Sequence, residues 1–582
     1  MTLAIASCHD PSVPPSKFFE VIIFSYLRNI FVPLLIAMPV FAQVEDVSTD
    51  DIEVIEVVND QSFNTPNYQV LHRESFIYSS QTLADILQSI NGIQIRQISG
   101  IGNPVSVSIR GSSSKQVQLY IDGQLINDSQ FGGFDLNQIP TEQIESIEIS
   151  KNQAIGTGAT PIGGVIRINT YNPTEDSSKL TLATGSFGYE EVNALYNKAF
   201  KTHSLSFGGH YINSDNDYDF IVPAGFSSSD TSDRQALKNN EFTKKSFFIN
   251  DIFQFNQHQI RVNVQYNDQE KALPNYQNNS PENNSTLNSD NLRYSYQHQW
   301  LSKSPWLNSI EFEAYAENKD ERYISSPDSI KLDINDYETT KKHIGFKPYL
   351  TWNEFNLMPF VSFNKQNFSS VSEHNGKPTQ CNGIASCDIS AKQEQLNIGS
   401  RIEWQPDALP IEAYALLSNL QEKNSNIAIN QSSAAKFVAN DNYQTTEVGL
   451  SNGVRTPTLY ELFGDRGSFK GNDNLLPEEA KTLSMGGQYL YKSLSISSSI
   501  YQQKLENSIV AIFNSSNVGS YRNVSNADLL GIEIQTNYQL LTQLSFALQA
   551  NIIDSETTSK FVAFNNKKLP GIYHQQYSVA LK

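Results

Sequence analysis

Five aspartates form the clearest group of potential metal ligands in the chain. Asp215, Asp217 and Asp219 lie in the segment SDNDYDF, and Asp230 and Asp233 follow in SSSDTSD. Carboxylate oxygens beside Asn and Ser are hard ligands, which suit Ca²⁺ better than a soft metal ion. The spacing does not complete an EF-hand, because neither its glycine nor its terminal Glu is in place. A solvated acidic loop is the alternative interpretation of the same residues.

Two of the three cysteines, Cys381 and Cys387, flank the segment NGIAS. In an exported protein, cysteines this close are expected to form a disulfide that closes a small loop. The sequence offers no further metal ligands beside them. The nine histidines are scattered, and the sequence has no HExxH, GxSxG, Walker or CxxC motif. We therefore predict that the chain is not an enzyme and that Ca²⁺ is its one candidate cofactor.

The composition favours strands over helices. The 582 residues carry a net charge of −19, and this acidic balance argues against a nucleic-acid partner, whose phosphates need clustered Lys and Arg. Only 18% of the residues are charged, so much of the polarity comes from Asn, Gln, Ser and Tyr. That mixture suits many strands that each have one polar face. After residue 45 no apolar run approaches the roughly 20 residues of a membrane helix.

The first 42 residues contain a signal for export. Arg28 is followed by the apolar run NIFVPLLIAMPVFA, which ends in the small-residue pattern Val40-Phe41-Ala42. This pattern predicts a signal peptide that is cleaved after Ala42. Residues 1–25 lack a basic n-region, so we expect the real start of translation to lie downstream of Met1.

Residues 82–170 have the pattern of a small α/β domain. Thr82 and Asp85 form a capping-box-like pair at the start of a predicted helix, Thr82 to Ile90, which Asn91-Gly92 ends. Short apolar strands are predicted at 105–109, 117–121, 144–149 and 165–168. Asp122-Gly123 is the residue pair that a tight hairpin turn prefers, so the segment QLYIDGQLI should fold back on itself.

After about residue 177 the pattern changes to repeated alternation with period two. It is clear in HQIRVNVQY (258–266), QLNIGSRIEW (395–404) and QLSFALQANI (543–552). Alternation over roughly ten residues is what a strand needs when one face meets lipid and the other meets water. A soluble β-sandwich or propeller is the alternative, but it should show a fixed repeat length or a buried apolar core. The connections alternate between short and long, which favours a transmembrane barrel.

Several motifs occur in one order along the chain. They are IRG (109–111), LYIDG (119–123), IPTEQIESIEI (139–149) and GGVIRINT (163–170), then GVRTPTLYELFG (453–464), GNDNLLPEEA (471–480) and YRNVSNADLLGIEIQTNY (521–538). From about residue 50 to 582 the chain thereby resembles the TonB-dependent outer-membrane receptors, most of all their cobalamin-receptor subgroup. It departs from that family at Lys151-Asn152-Gln153, where R-G-P is usual, and at Ile155-Gly156, where a Y-G pair is usual.

The resemblance implies a membrane all-β fold, in which an N-terminal mixed α/β plug occludes a large antiparallel barrel of 22 strands. The expected domains are a leader (1–42), a periplasmic extension (43–60), the plug (61–175) and the barrel (176–582), placed in the outer membrane of a Gram-negative bacterium. In the family about four more strands follow a segment like QQYSVALK. Because an open barrel leaves unpaired amides in hydrocarbon, we expect this sequence to be truncated.

The resemblance also implies energised transport. The extension carries the position of the TonB box, a segment that can add as a strand to a partner's sheet edge. A frayed terminus is the alternative. The residues of this candidate box are Ile52, Glu53, Val54, Ile55, Glu56, Val57 and Val58. The implied partners are TonB with its ExbB/ExbD energising complex, outer-membrane lipid around a monomer, and a small-molecule ligand.

For the ligand we expect cobalamin, because cobalamin receptors of this family bind Ca²⁺ through aspartates in a comparable early outer loop. A ferric siderophore is the alternative ligand, and a surface receptor without transport is the alternative function. The charged residues that hold the plug in place are not predictable from the sequence.

Overall fold

The structure is a computed structural model. It describes residues 65–76, 81–97, 100–222, 234–328, 332–381, 385–386, 388–423, 427–464, 469–514, 518–541 and 543–581. Two α-helices, α1 (Leu83–Gln88) and α2 (Leu459–Phe463), and several 3-10 turns lie in these ranges. None of the helices described there is long or apolar enough to cross a membrane.

The N-terminal domain is a small mixed sheet with helix α1 beside it. Its strands are β1 (Tyr68–His72), β2 (Ile93–Gln97), β3 (Val105–Ile109), β4 (Val117–Ile121), β5 (Gln124–Leu125), β6 (Ile144–Lys151) and β7 (Gly164–Thr170). The main sheet has the order β1-β6-β7-β4-β5, in which only β4 and β7 run parallel, and β2 pairs with β3 separately. All four strands that the sequence predicted are present.

Local sequence signals fix two features of this domain. The Thr82 hydroxyl accepts from the Asp85 amide, and the Asp85 carboxylate accepts from the Thr82 amide, so the predicted capping box is confirmed. Asp122 and Gly123 have φ values of 44° and 76°, as a type I′ turn requires. The predicted hairpin is therefore confirmed, with Ile121 opposite Gln124.

The domain has an apolar core of its own. Helix α1 and strands β2, β3, β4, β6 and β7 bury one continuous cluster. Its largest members include Leu83, Leu87, Ile93, Ile109, Leu119, Ile144, Ile147, Ile149, Ile166 and Ile168. Because this cluster is built from residues 76–168 alone, the domain does not need the barrel to form its core.

The remaining strands form the barrel and its loops. They are β8 (Ser177–Thr184), β9 (Glu190–Ala199), β10 (His203–Ser214), β11 (Asp219–Ile221), β12 (Arg234–Ala236), β13 (Phe242–Phe255), β14 (His258–Ala272), β15 (Thr286–Leu301), β16 (Leu307–Ser325), β17 (Asp333–Trp352), β18 (Phe355–His374), β19 (Lys377–Pro378), β20 (Gln380–Cys381), β21 (Ala385–Ser386), β22 (Ile389–Trp404), β23 (Ile411–Lys423), β24 (Ile427–Asn440), β25 (Gln444–Arg455), β26 (Phe469–Lys470), β27 (Glu478–Tyr491), β28 (Leu494–Phe513), β29 (Gly519–Leu541), β30 (Leu544–Ser559) and β31 (Gln575–Leu581).

The long strands pair antiparallel with their neighbours from β8 to β31, and their order returns from β31 to β8. Within the described ranges, however, no residue register joins β31 to β8. Side chains on both strands are strongly exposed, among them Leu180 and Val579. We therefore take the ladder from β8 to β31 as the wall, and the expected 22 strands remain a prediction.

The wall has an apolar outer face and a polar inner face. On β23, Leu416 is fully buried toward the interior, whereas its neighbour Leu417 is 67% exposed on the outside. Ile429 and Leu450 on the next strands are exposed in the same way. Connections at one end of the barrel are short, such as residues 353–354, and those at the other end are long, such as residues 456–477. The predicted fold, a plug-bearing antiparallel barrel, is confirmed.

The N-terminal domain lies inside this wall. Asn91 Nδ2 donates to the carbonyl of Ile534 over 2.9 Å, and Lys341 Nζ donates to the carbonyl of Leu125 over 2.7 Å. These two barrel residues lie on β29 and β17, far apart in the strand order. The domain therefore contacts widely separated parts of the inner face, and we call it the plug.

Replacing Leu417 with Arg tests whether the apolar outer face of the barrel faces lipid. Leu417 lies in the middle of β23, where an Arg that faces lipid should destabilise the barrel by about 2–4 kcal/mol. The measurement is the denaturant midpoint of the folded, heat-modifiable form in lipid vesicles. Leu409→Arg, in the turn before β23, is the control, and equal stability of both variants would contradict a lipid-facing surface.

Candidate functional site

Arg110 is the centre of a buried ionic contact between plug and wall. The residue is fully buried, and its Nε and Nη2 donate to the two carboxylate oxygens of Glu533 over 2.9 and 3.0 Å. Nη2 also donates to Ser499 Oγ over 2.8 Å and to Asn67 Oδ1. The guanidinium carbon lies 4.3 Å from the ring centroid of Tyr501, a cation–π contact.

Lys151 is the second cation on the same carboxylate. Its Nζ donates to Glu533 Oε2 over 2.9 Å. Burial lowers the pKa of Lys151, and Glu533 opposes that effect. Burial also disfavours the charge on Arg110, but Glu533 raises the pKa of its guanidinium above the ordinary value. We call Arg110, Lys151 and Glu533 the central junction. At residues 151–153 this chain has Lys-Asn-Gln where R-G-P is usual, and Lys151 still supplies a cation there.

Two glycines make room for the central junction. A Cβ atom at Gly92 would lie 2.1 Å from Glu533 Oε1, and one at Gly531 would lie 2.1 Å from the Tyr501 ring. Arg110 itself has a φ of 52°, in the left-handed region that non-glycine residues rarely adopt. Such a conformation persists only where surrounding contacts impose it, and here those contacts are the bonds to Glu533 and its neighbours.

A second contact holds the first described residues of the plug. Thr65 Oγ1 donates to Glu447 Oε2 over 2.7 Å, and the backbone amide of Asn67 donates to Glu447 Oε1 over 2.8 Å. Glu447 is buried on β25, with Lys436 Nζ 3.7 Å from its carboxylate. We call Thr65, Asn67 and Glu447 the N-terminal anchor. Because Asn67 also accepts from Arg110, the anchor and the central junction share a residue.

A third contact lies toward the end with long connections. Arg455 donates to Glu461 over 2.9 Å and to Glu478 over 2.6 Å. From the plug, Lys115 Nζ donates to Glu461 and Gln116 Nε2 donates to Glu478, each over 2.8 Å. Glu461 lies on α2, whose N-cap is Thr458. We call this network the outer junction; it joins the plug to the α2 loop.

Aromatic rings surround the outer junction. Phe131 of the plug lies 5.0 Å from Tyr460 of α2, measured between ring centroids, and Tyr460 lies 5.8 Å from Phe469. Phe469 in turn lies 5.3 Å from both Tyr521 and Phe513. Phe131 and Phe513 remain 38% and 53% exposed. These five rings, the aromatic mouth, offer flat apolar surface at the long-loop end of the barrel.

The predicted Ca²⁺ ligands are only partly described. Asp215, Asp217 and Asp219 are exposed, whereas Asp230 and Asp233 lie outside the described residues. Within the described ranges, no three His, Cys, Asp or Glu residues are close enough to hold a metal ion. Calcium binding therefore stays a prediction.

The aspartate loop is nevertheless tied to the plug. The side chain of Asn216 accepts from the Ile101 amide over 3.0 Å and donates to the Ile101 carbonyl over 2.8 Å. Lys271 Nζ also donates to that carbonyl, over 3.3 Å. The loop that carries Asp215, Asp217 and Asp219 therefore contacts the plug directly through Asn216.

Two other predicted sites fall largely outside the described ranges. The candidate TonB box, residues 52–58, lies outside them, and so does Cys387. The strand that contains Cys381 pairs with β21, in a register that places Cys381 opposite Ala385. The disulfide and the box remain predictions.

Sequence reasoning missed the residues that hold the plug. Arg110 lies in the IRG motif and Glu533 in the segment GIEI, and both motifs were identified without a role for their charged residues. The available signal was a charged residue directly beside isoleucine in each motif, Ile109-Arg110 and Ile532-Glu533-Ile534. Burial of both charges requires a partner for each, which is what the structure supplies.

Comparison with known proteins agrees with this geometry. The profile of the TonB-dependent Receptor Plug Domain matches residues 61–165, and that of the TonB dependent receptor-like β-barrel matches residues 265–582. The chain belongs to the TonB-dependent receptor family. As a member, it is an outer-membrane protein.

Among relatives of known function, a vitamin B12 transporter, BtuB, from Vibrio vulnificus strain CMCP6 is 31% identical over 169 residues. That match covers 28% of this chain and only 27% of the relative, well under two thirds of its length. The same-named protein from V. vulnificus strain YJ016 is 24% identical over 79% of this chain and 70% of its own length.

Solved structures share the fold. The copper transporter OprC has a TM-score of 0.69 at 15% identity, over 86% of this chain and 80% of its own. The siderophore receptor PirA from Acinetobacter baumannii has a TM-score of 0.66 at 14% identity, over 85% and 81%. At these identities the likeness concerns the fold alone.

Glu533→Gln tests whether the central junction holds the plug. The amide keeps the shape of the side chain but leaves Arg110 and Lys151 buried without a carboxylate, which should cost about 3–5 kcal/mol. We expect faster hydrogen–deuterium exchange in the plug segment around Thr160, whose backbone amide donates to Ser432 Oγ of the wall over 2.9 Å, measured by mass spectrometry on the folded protein.

The matched control is Asp176→Asn, which removes an exposed carboxylate from its pair with Lys198. Because water screens an exposed pair, it contributes little to stability, and exchange around Thr160 should not change. If both variants exchange alike, the central junction does not hold the plug.

Proposed function

We propose that this receptor actively transports a scarce, large nutrient across the outer membrane and that it is not an enzyme. The observation that carries the proposal is the chemistry of the plug's attachment. The plug lies inside the barrel, and the three networks described above that hold it are ion pairs and hydrogen bonds, beside apolar contacts at Phe131, Ala154 and Ile162. A passive porin would have no use for such a plug.

Polar attachment suits a plug that must move. Each hydrogen bond contributes only about 0.5–1.5 kcal/mol net, because water can replace the lost partner. The plug keeps its own apolar core, from Leu83 to Ile168, while water replaces the wall as the partner in those hydrogen bonds. Displacement therefore costs less than unfolding the domain. The buried central junction is the costly contact, and breaking it needs an external source of free energy.

We propose TonB, with ExbB and ExbD, as that source. The outer membrane has no ATP of its own, so force must arrive through a partner. Residues 52–58 would add as a strand to a sheet edge of TonB, with main-chain hydrogen bonds supplying the strength. A pull on the chain before Thr65 would reach the N-terminal anchor first. It would then reach Arg110 through Asn67.

For the ligand we propose cobalamin, with a ferric siderophore as the alternative. The aromatic mouth offers flat surfaces for stacking against a large organic ligand. Lys115 and Lys319 near the plug's outer loops are paired with Glu461 and Asp128, so their charges are neutralised. A strongly anionic chelate would require unpaired cations there. The vitamin B12 transporters among the relatives support the same choice.

Calcium completes the proposed ligand site. The five aspartates, at 215, 217, 219, 230 and 233, would bind Ca²⁺ in an outer loop. The bound ion would order this loop, and the loop would hold Ile101 of the plug through the two hydrogen bonds of Asn216. Carboxylates supply the hard oxygen ligands that Ca²⁺ prefers. The protein would act as a monomer surrounded by lipid.

Deleting residues 52–58 tests transport. We expect uptake of labelled cobalamin by cells to stop while its binding to their outer membranes persists, because only the link to TonB is removed. Deleting residues 43–49, which are equally numerous, is the control and should leave uptake intact. Uptake that survives the first deletion would overturn energised transport, whereas binding without uptake in the unmodified protein would indicate a surface receptor.

Removing Ca²⁺ with a chelator tests the ligand site. Cobalamin binding should weaken on chelation and recover when Ca²⁺ is restored, and Asp217→Asn with Asp219→Asn should reproduce the loss. Binding that ignores the chelator would remove Ca²⁺ from the proposal. Absence of cobalamin binding under both conditions, with binding of a ferric siderophore, would favour the alternative ligand.

A further inference from the structure

The edge of the apolar outer face nearest the long connections carries a row of lysines on β17, β18, β22 and β23. The registers place Lys342 opposite Lys365, and Lys365 opposite Glu394. Glu394 in turn lies opposite Lys423 and binds Lys392 over 2.5 Å. Four lysines thus surround one carboxylate. We call Lys342, Lys365, Lys392 and Lys423 the lysine patch.

The lysine patch points away from the plug. Lys341 is buried on the inner face of β17, whereas Lys342 and Ile344 are exposed on the opposite face. On β18, Lys365 has the same parity as Phe363, which is also exposed. Because side chains alternate between the two faces of a strand, the patch lies on the surface that meets the membrane.

The lysine patch lies at one boundary of the apolar band. At their other ends, β17, β18 and β22 carry aromatic side chains on the same face, namely Trp352, Phe355 and Trp404. Lys342 is ten residues from Trp352, and the same spacing separates the row from Phe355 and Trp404. Ten residues of a tilted strand rise about 25 Å, which matches the height of the apolar band in outer-membrane barrels. The long connections of such barrels are extracellular, so the patch lies at the level of the outer-leaflet head groups.

Two lysines of the patch face each other without a counter-ion. Lys342 and Lys365 lie directly opposite, and Ala316 is the other cross-strand neighbour of Lys342. Neither lysine forms an ion pair within the described part of the chain. Glu394, opposite Lys365, is already bound by Lys392. Like charges in this arrangement destabilise a sheet, so an anion that binds both ammonium groups would be stabilising.

The neighbouring sector of the outer face is acidic toward the same end of the barrel. On β14 to β16, Asp268 lies opposite Asp290, and Asp290 lies opposite Asp320. Asp320 in turn lies opposite Glu338 of β17. These carboxylates repel an anionic head group, whereas the lysine patch attracts it. The charge pattern therefore directs an anion to β17, β18, β22 and β23.

We propose that the lysine patch binds the phosphorylated head group of an outer-leaflet lipid, while the acyl chains of that lipid lie on the apolar strip between the patch and the aromatic rings. A phosphate offers several acceptor oxygens, and each ammonium group offers several donors. Clustered cations beside an apolar membrane surface are a general basis for the recognition of anionic lipids. The inference needs only the outer-membrane location of the protein. It does not depend on the transported ligand or on TonB.

Paired substitutions test the site. Lys342→Gln with Lys365→Gln, the patch variant, removes the two opposed charges. The measurement is the affinity of the delipidated full chain in detergent for lipid A, the phosphorylated glycolipid of the outer leaflet, titrated by native mass spectrometry. Each lysine beside an anionic lipid contributes a factor of about five, so the patch variant should bind lipid A about 25-fold more weakly than the parent chain.

The matched control is Lys481→Gln with Lys504→Gln, which removes the same amount of charge. These lysines also lie opposite each other on the outer face, but Glu506 lies 4.0 Å from Lys481 and Asp528 lies opposite Lys504. Because carboxylates already neutralise this pair, the control should bind lipid A about as tightly as the parent. Equal losses in the two variants, or no loss in the patch variant, would overturn the site.

A variant that should gain affinity separates lipid binding from stability. Glu394→Gln removes the carboxylate of the row and frees Lys392, so it should bind lipid A more tightly than the parent. A destabilised barrel cannot imitate that gain, and heat-modifiable migration checks the folding of each variant. Dephosphorylated lipid A should bind the parent as weakly as lipid A binds the patch variant. Weaker binding by Glu394→Gln, or equal binding of both lipids by the parent, would overturn the proposal. The cobalamin and TonB experiments can fail without changing this result, because neither partner takes part in it.

Discussion

The rest of the structure depends on one buried carboxylate that two cations share. Glu533 projects from β29 into the barrel, and Arg110 and Lys151 reach it from the plug. Taking three charges out of water is costly, and their mutual attraction offsets the cost only while the geometry is kept. The seated plug is therefore a well-defined state. A small displacement of Glu533 leaves unpaired buried charges, so partial release of the plug is disfavoured.

The division between apolar and polar contacts follows from this constraint. Within the plug, helix α1 and strands β2, β3, β4, β6 and β7 bury an apolar cluster, and outside the barrel, residues such as Leu417 present an apolar surface. Many of the contacts between plug and wall are polar. Apolar contacts are lost wherever surfaces separate, whereas polar contacts can be replaced by water. The same chain thus combines two apolar arrangements with an interface that includes many polar contacts, whose bonds water can replace.

How much was predictable depended on distance along the chain. The capping box of Thr82 and Asp85 and the Asp122-Gly123 turn involve neighbours within three residues, and the sequence identified both. Alternation also identified the barrel strands, because the faces of a strand are set locally. The central junction joins residues 423 positions apart, and no local pattern links them. The sequence shows the departure at Lys151 but not the role of its charge. Once Glu533 is placed, a Lys there serves as a second cation.

The arrangement of contacts also suggests an order of events during release. Among the described residues, the N-terminal anchor is the plug contact nearest in sequence to the candidate TonB box, with Thr65 seven residues beyond Val58. Glu447 there accepts from one side chain and one backbone amide, so it can yield before the doubly paired Glu533. Because Asn67 bonds both Glu447 and Arg110, a displacement at the anchor removes a partner from the guanidinium. The outer junction, at Lys115 and Glu461, shares no residue with this path. Force from the periplasmic side would therefore loosen the central junction while the plug's outer end stays attached to the α2 loop, which favours tilting of the plug over its expulsion.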